Sequence, residues 1–404
     1  MSAVLEPATL LSERVNAMAE SATLAMTKKA RVLAAQGVKV ISLSIGEPDF
    51  PTPQHIKDAA KKAIDDNFTQ YTPVSGIADL RAAIAEKLRR DNNLDWKAEN
   101  IVVSTGAKQS LTNALLALLN PGDEVVIFSP YWVSYSEMVV LAEGVPVLVH
   151  GALENDFKVT AAQLEAAITP RTKIVMFSSP CNPTGSVFTE QELRDIAAVV
   201  ERHENIFVMA DEIYEYIVFE GKNFSIGSVP AIKDRVITVN GCSKGYAMTG
   251  WRLGYLAAPK WIADACDKIQ GQVTSGTCSI TQKAAVAALT GPLDDTRKMA
   301  EAYRRRRDLV IAGLREIPGL KIAVPQGAFY AFPDMSHYFG KSDGTHNIQN
   351  ADDLAMYLLN VGHVATVSGS AFGAPNCIRL STAASDENLT EALRRIKEAL
   401  GRLR

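Results

Sequence analysis

Two textures alternate along the middle of the chain. Short runs rich in β-branched residues stop at polar or Gly/Pro-rich turns, and longer segments with apolar residues at helical spacing lie between them. The runs Ile101 to Ser104, Glu124 to Phe128, Val145 to Val149, Lys173 to Phe177, Ile206 to Ala210, Val236 to Val239 and Leu253 to Ala257 are predicted strands. Lys108 to Leu119 and Glu190 to His203 are predicted crossover helices, the second with Leu193, Ile196, Ala197 and Val200 on one face. Such alternation buries a sheet between helices, so the expected fold class is α/β, with a large domain built on a mainly parallel seven-stranded sheet.

The texture changes after Gly291. Lys298 to Leu314 reads as a basic helix, Ile322 to Phe332 and Ile378 to Leu380 as strand-like segments, and the chain from Glu387 onward as a final helix. These form an expected smaller α+β domain. The division assigns 53–297 to the large domain and 1–52 with 298–404 to the small one, which suits a chain of 404 residues, longer than one ordinary domain. With no internal repeat and no flexible Gly/Ser linker, the two should pack closely.

Charge narrows the possible partners. The 42 basic and 45 acidic residues leave a net charge of -3 with no long single-sign block, which argues against nucleic acid or a lipid surface as a partner. No apolar stretch approaches the roughly 18 residues of a membrane span. The N-terminal segment, with Glu6 and Glu13, lacks the basic-then-apolar pattern of an export leader. Cys181, Cys242, Cys266, Cys278 and Cys377 are odd in number and widely spaced, with no CxxC pair, so reduced thiols in the cytoplasm are expected rather than disulfides or a metal site.

Open α/β sheets place their sites beyond the carboxyl ends of the strands. Five strand exits carry unusual polar residues: Thr105-Gly106-Ala107-Lys108, Pro130-Tyr131-Trp132, Ser179 to Gly185 (SPCNPTG), Asp211-Glu212-Ile213-Tyr214 and Gly241-Cys242-Ser243-Lys244. Together they supply an amine, an acid, a phenol, an amide and an aromatic plate, the set that a pyridinium aldehyde requires. The chain here resembles the fold-type I, class I aminotransferases, and within them the bacterial aspartate and aspartate/prephenate branch. The resemblance spans nearly the whole chain and rests on Ser44 to Phe50 (SIGEPDF), Pro130 to Tyr135 (PYWVSY), Asn182 to Gly185 (NPTG), Asp211 to Tyr214 (DEIY), Ser243 to Gly254 (SKGYAMTGWRLG) and Arg379.

The resemblance implies pyridoxal 5'-phosphate as cofactor, with Lys244 carrying it as a Schiff base and shuttling a proton after substrate displaces the lysine. Asp211 ends an apolar run, where a carboxylate is unfavourable without a cationic partner, and a protonated pyridine nitrogen would be that partner. A helix N-cap is the other reading of Asp211, but it leaves Tyr214 unexplained. By resemblance, Tyr214 and Asn182 reach the phenolic oxygen of the cofactor, and Trp132 stacks on its ring. Taken alone, Tyr214 would more often be a packed core aromatic and Asn182 a turn former before proline, and core filling competes for Trp132. Cis bonds at Ser129-Pro130 and Asn182-Pro183 are expected for the same reason.

Gly106, Ala107 and Lys108 open a helix after a strand, so their backbone N–H groups face an anion, to which Ser243 and Arg252 would add a hydroxyl and a fixed charge. Tyr71 resembles the family tyrosine that reaches the phosphate of a neighbouring subunit, implying a homodimer with shared sites. Arg379 matches the position that grips a substrate α-carboxylate with a planar guanidinium, and Gly46 would add a backbone group nearby. No arginine stands between Ile269 and Lys283, where one branch reads the second carboxylate, so Lys108 is the expected distal contact. The implied reaction is a ping-pong exchange between an acidic amino acid, aspartate first, and 2-oxoglutarate, with prephenate a further acceptor. The alternative readings are a β-lyase on the same scaffold, which Lys108 disfavours, and an aminotransferase for aromatic or other amino acids. A nucleotide-binding protein is a third, without a Gly-x-Gly-x-x-Gly or Walker run to support it. Ser368 and Thr382 depart from the family pattern and are expected to alter the pocket near Arg379.

Overall fold

The central strands are buried along nearly their whole length, and successive side chains enter opposite cores, as a sheet covered on both faces demands. In the strand Thr172–Ser178, Ile174 and Met176 enter one apolar cluster while Val175 and Phe177 enter another, and Glu124–Ser129 divides Val125 and Ile127 from Val126 and Phe128 in the same way. Each such side chain, fully buried, contributes roughly 1.5–3 kcal/mol before the entropy of ordering it is subtracted. The flanking helices supply the outer layers. Glu190–Glu201, for example, inserts Leu193, Ile196, Ala197 and Val200 into the second cluster, and its N-terminus is closed by a reciprocal Thr189/Glu192 capping box worth about 1 kcal/mol.

The structure, a computed structural model, describes residues 10–404; residues 1–9, the start of the expected small domain, lie outside the described residues. Its strands are β1 (Ile41–Ser42), β2 (Ile101–Ser104), β3 (Glu124–Ser129), β4 (Val145–His150), β5 (Thr172–Ser178), β6 (Phe207–Asp211), β7 (Val236–Gly241), β8 (Gly254–Ala257), β9 (Tyr330–Ala331), β10 (Val364–Ala365), β11 (Val367–Ser368) and β12 (Ile378–Ser381). One sheet has seven strands in the order β2-β8-β7-β6-β5-β3-β4. Its pairs are parallel except those of β8, which runs antiparallel to both β2 and β7. All seven expected strands are present. The three fully parallel-paired central strands end near the residues singled out above, which is what brings those residues together.

A smaller α+β assembly follows. β11, β12 and β9 form an antiparallel sheet, and β1 pairs in parallel with β10, so the segment before the large sheet joins strands from the C-terminal third. Leu43 packs in one apolar cluster with Val310, Leu314, Leu358, Ile378 and Ile396. The long helix Asp294–Arg315 bridges the two assemblies: Met299 and Tyr303 pack with Tyr214 and Ile217, whereas Val310 and Leu314 pack in the smaller core.

The strand expected over Ile322 to Phe332 shrinks to the two residues of β9. Upstream of β9, the backbone N–H groups of Gln326 and Gly327 donate to the Gly185 carbonyl in the NPTG turn, so this stretch braces a loop instead of extending a ladder. Both expected cis bonds are present, with a third at Ser179-Pro180. No helix among the described residues is long and apolar enough to cross a membrane.

Candidate active site

A cavity of about 350 Å³ opens where the large sheet's strand ends meet β9, β12 and the Ile45–Glu47 strap. Of the residues expected at the site, Gly46, Ala107, Lys108, Trp132, Asn182, Asp211, Tyr214, Ser243, Lys244, Arg252 and Arg379 all line it. Gly106 and Tyr71 do not. Gly106 stands just behind the wall, in a left-handed conformation (φ +85°) that opens the helix Ala107–Leu118, and a Cβ there would lie 2.3 Å from the Arg252 guanidinium. Gly254 is as tightly held, since its Cβ would lie 2.1 Å from the Ala107 nitrogen. These two glycines let a helix N-terminus and Arg252 converge on one corner of the cavity, a corner suited to an anion. Tyr71 is 100% exposed on the single chain.

Asp211 ends β6 with its side chain buried. Its Oδ2 accepts a 2.7 Å hydrogen bond from the Tyr135 hydroxyl, and its Oδ1 a 3.2 Å bond from the Ile213 N–H. Burial nevertheless pushes the carboxyl up to about 6, the two hydrogen bonds and the Lys244 charge only partly opposing it. Among the described residues, no lysine or arginine forms an ion pair with this carboxylate. The Lys244 amine, half-buried after β7, donates to the Gly46 carbonyl and is pushed down to about 8, chiefly by burial. It is a group able to give or take a proton near neutral pH.

Arg379, on β12, is 1% exposed. Its Nη1 donates to Asn182 Oδ1 at 2.9 Å and its Nη2 to the Ser44 carbonyl at 2.6 Å, while its Nε has no partner among the described residues. A buried guanidinium held only by neutral oxygens is suited to receive a carboxylate. The same bond turns the Asn182 oxygen toward Arg379 and leaves its amide nitrogen for the cavity. Lys108 stands at the rim, its Nζ 3.1 Å from Ser134 Oγ and 4.8 Å from the centre of the Trp132 ring. Partial desolvation and then Arg252 lower its pKa. Trp132 presents its ring to the cavity and meets Tyr135 edge-on at 5.6 Å.

Several residues of the site were not anticipated. Tyr135, the last residue of PYWVSY, is the direct hydrogen-bond donor to Asp211; its place at the opening of the helix Ser134–Leu141 was the only available signal. The Tyr330 hydroxyl lies 2.7 Å from that of Tyr214, and Glu47 is hydrogen-bonded to Thr249 across the cavity mouth. Ser368 and Thr382, expected to shape the pocket, are buried elsewhere and do not line it. Ser368 caps a short 3-10 turn, and Thr382 hydrogen-bonds through its backbone to Phe329.

An acid, a low-pKa amine, an anion corner and a guanidinium held only by neutral oxygens among the described residues suit chemistry on an amino acid carried by an electron-poor aromatic group. The family model described as aminotransferase class I and II matches residues 38–396. An aspartate/prephenate aminotransferase of Cereibacter sphaeroides is 49% identical, covering 96% of this chain and 98% of its own. A bifunctional aspartate and glutamate/aspartate-prephenate aminotransferase of Petunia hybrida is 48% identical, over 96% of this chain and 82% of its own. The solved aspartate aminotransferase of Rhizobium meliloti superposes with a TM-score of 0.95 at 44% identity, over 98% of this chain and 99% of the other. With this likeness running through both sequence and fold, the chain belongs to the class I and II aminotransferases.

Proposed function

We propose that this aminotransferase moves the amino group of aspartate to 2-oxoglutarate in a two-stage ping-pong exchange with pyridoxal 5'-phosphate as its cofactor, and that it also accepts prephenate. One observation carries the reading: around a single cavity, a low-pKa lysine amine, a buried carboxylate in no ion pair among the described residues and a buried guanidinium with a free Nε stand ready for three parts of one amino-acid adduct. The names of the relatives support aspartate and prephenate. A Thermus thermophilus aspartate aminotransferase solved with maleate, a dicarboxylate, is 42% identical with a TM-score of 0.90, and supports a site with two cations.

The residues fit the cofactor. Asp211 would face its ring nitrogen, Asn182 and Tyr214 its phenolic oxygen and Trp132 its ring face. The backbone N–H groups of Gly106, Ala107 and Lys108 at the opening of Ala107–Leu118, with the Ser243 hydroxyl and the Arg252 guanidinium, would hold its phosphate. When bound, pyridoxal phosphate supplies an electron-poor ring that takes up the electron pair left by α-proton loss. Lys244 would hold the cofactor at rest and, once substrate has displaced it, its free amine would take the proton from the substrate α-carbon. Arg379 grips the α-carboxylate beside Gly46, and Lys108 the distal one. The fully exposed Tyr71 supports a homodimer in which a partner subunit covers it. The division at 53–297 against 1–52 with 298–404, and residence in the cytoplasm with five free thiols, belong to the same reading.

Mixing the loaded enzyme with aspartate alone tests it: the cofactor's absorption band should shift and one equivalent of oxaloacetate appear, without any acceptor. No shift and no oxaloacetate would refute the proposal. For the distal contact, Lys108→Met is expected to raise KM for aspartate about tenfold, the loss of one partly screened charge pair. KM for phenylalanine should stay within about twofold, as measured by steady-state kinetics.

A further inference from the structure

We infer that Tyr330 is a positioning residue for this reaction: its hydroxyl donates to that of Tyr214, aiming the Tyr214 proton into the cavity, and its ring braces Arg379. The inference rests on the functional reading above. Its ground is the way three elements converge. In the β9–β12 ladder Tyr330 pairs with Ser381, so Arg379, two residues earlier on the same face, is its diagonal neighbour, and the guanidinium lies 4.6 Å from the centre of the Tyr330 ring. Tyr214 comes from the loop after β6 and meets Tyr330 ring to ring at 5.8 Å and hydroxyl to hydroxyl at 2.7 Å. Gly46, whose carbonyl receives the Lys244 amine, is packed so closely that a Cβ there would lie 2.2 Å from the Tyr330 oxygen. One phenol thus touches the residues expected to hold the cofactor oxygen and the substrate carboxylate, and abuts the glycine that holds the lysine.

The direction of the hydrogen bond follows from the supply of acceptors. Burial raises the pKa of both phenols, so each carries a proton that needs somewhere to go. Tyr330 is 1% exposed, and its hydroxyl has Tyr214 as its one hydrogen-bond partner among the described residues. If Tyr214 donated to Tyr330, the Tyr330 proton would be left without an acceptor. If Tyr330 donates, the Tyr214 proton remains free to point at the cavity that Tyr214 lines. A donor that itself accepts a hydrogen bond is the stronger donor. Tyr330 therefore sharpens the contact through which Tyr214 would stabilise a phenolic anion and lower the pKa of the Lys244-linked chromophore.

The test is a spectrophotometric pH titration of that chromophore in the loaded wild type, Tyr330→Phe, Tyr214→Phe and the double variant, with thermal melts to check folding. Tyr330→Phe, which keeps the ring on Arg379, should move the midpoint upward by about half a unit to one unit, and Tyr214→Phe further in the same direction. Because Tyr330 acts through Tyr214, the double variant should match Tyr214→Phe alone. Tyr330→Leu, which also removes the brace, should raise KM for aspartate severalfold where Tyr330→Phe leaves it within about twofold. An unmoved midpoint in Tyr330→Phe, or a Tyr330 shift that persists in full when Tyr214 is already Phe, overturns the inference while leaving the functional reading intact. Failure of the wild type to form any Lys244-dependent band would overturn both.

Discussion

Lys244→Ala should lower kcat by about 10⁴-fold or more, the combined loss of a covalent tether and a general base. That corresponds to roughly 5.5 kcal/mol or more of barrier. No other amine replaces it. Lys108 stands at the cavity rim beside Ser134, and Arg252 is engaged with the Thr249 carbonyl. The variant should bind pyridoxal phosphate without developing the lysine-dependent absorption band. Its folding should not suffer, because burial depresses the lysine's pKa to about 8 and thus opposes folding with the amine charged. That penalty is largest below pH 8 and fades as pH rises toward the ordinary lysine value of about 10.4. A variant that turned over within tenfold of the wild type would sink the assignment, and a normal melting temperature would ensure that the loss is chemical.

The second large effect belongs to Asp211→Asn, for which kcat should fall about 10²- to 10³-fold, as expected when a buried charge partner is removed. Asparagine keeps the shape and can still accept from Tyr135. The charge is lost, together with the second oxygen, which accepts the long 3.2 Å bond from the Ile213 N–H. The same substitution has a signature in the cofactor-free protein. The Asp211 carboxyl is raised to about 6, so the folded chain holds its proton more tightly than the unfolded chain, whose value is near 3.9. Stability from this group is complete below about pH 4, is lost as pH rises through about 6, and is flat above; the whole span is worth ~3 kcal/mol. Other buried acids titrate too, Glu212 among them with its carboxyl pushed up to about 8 by burial, so the wild-type minus variant difference isolates Asp211. Denaturant unfolding across pH 4 to 8 should show the wild type losing more stability than the variant. Added pyridoxal phosphate should then raise the melting temperature of the wild type more than that of the variant, most clearly at pH 8. Equal slopes would show that the carboxylate is not the destabilised group described here.

Much of the architecture was legible before any coordinates. Apolar runs between turns located all seven strands of the large sheet, because a strand buried on both faces must be apolar along its length; only β4, at the sheet's edge, is half-buried at best. The helix Glu190–Glu201 was legible from its one apolar face. The expected strand over Ile322 to Phe332 failed because local propensity cannot see the Gly185 carbonyl that claims two of its N–H groups. The reversed direction of β8 was equally invisible, since a run such as GYLA packs as well either way up.

The candidate site divides along the same line. Lys244, Asp211, Asn182 and Tyr214 stood out because polar groups at the end of apolar runs are conspicuous in one dimension. Their partners did not. Tyr330 carried no signal in the sequence and Tyr135 only its place at the end of PYWVSY, while Ser368 and Thr382, expected to alter the pocket, line no part of the cavity.

What the sequence determined by itself is therefore the local part: which segments are strands and helices, which strand ends carry reactive groups, and which family pattern they match. Only the tertiary structure decided which of those groups share a cavity and what each one touches. The physical reason is range. The Arg379 bond to Ser44 joins residues 335 positions apart, Tyr214 meets Tyr330 across 116, and Lys244 reaches Gly46 across 198. Such contacts are set by sheet order and side-chain direction once both cores have closed, and no periodicity within a window of the chain encodes them.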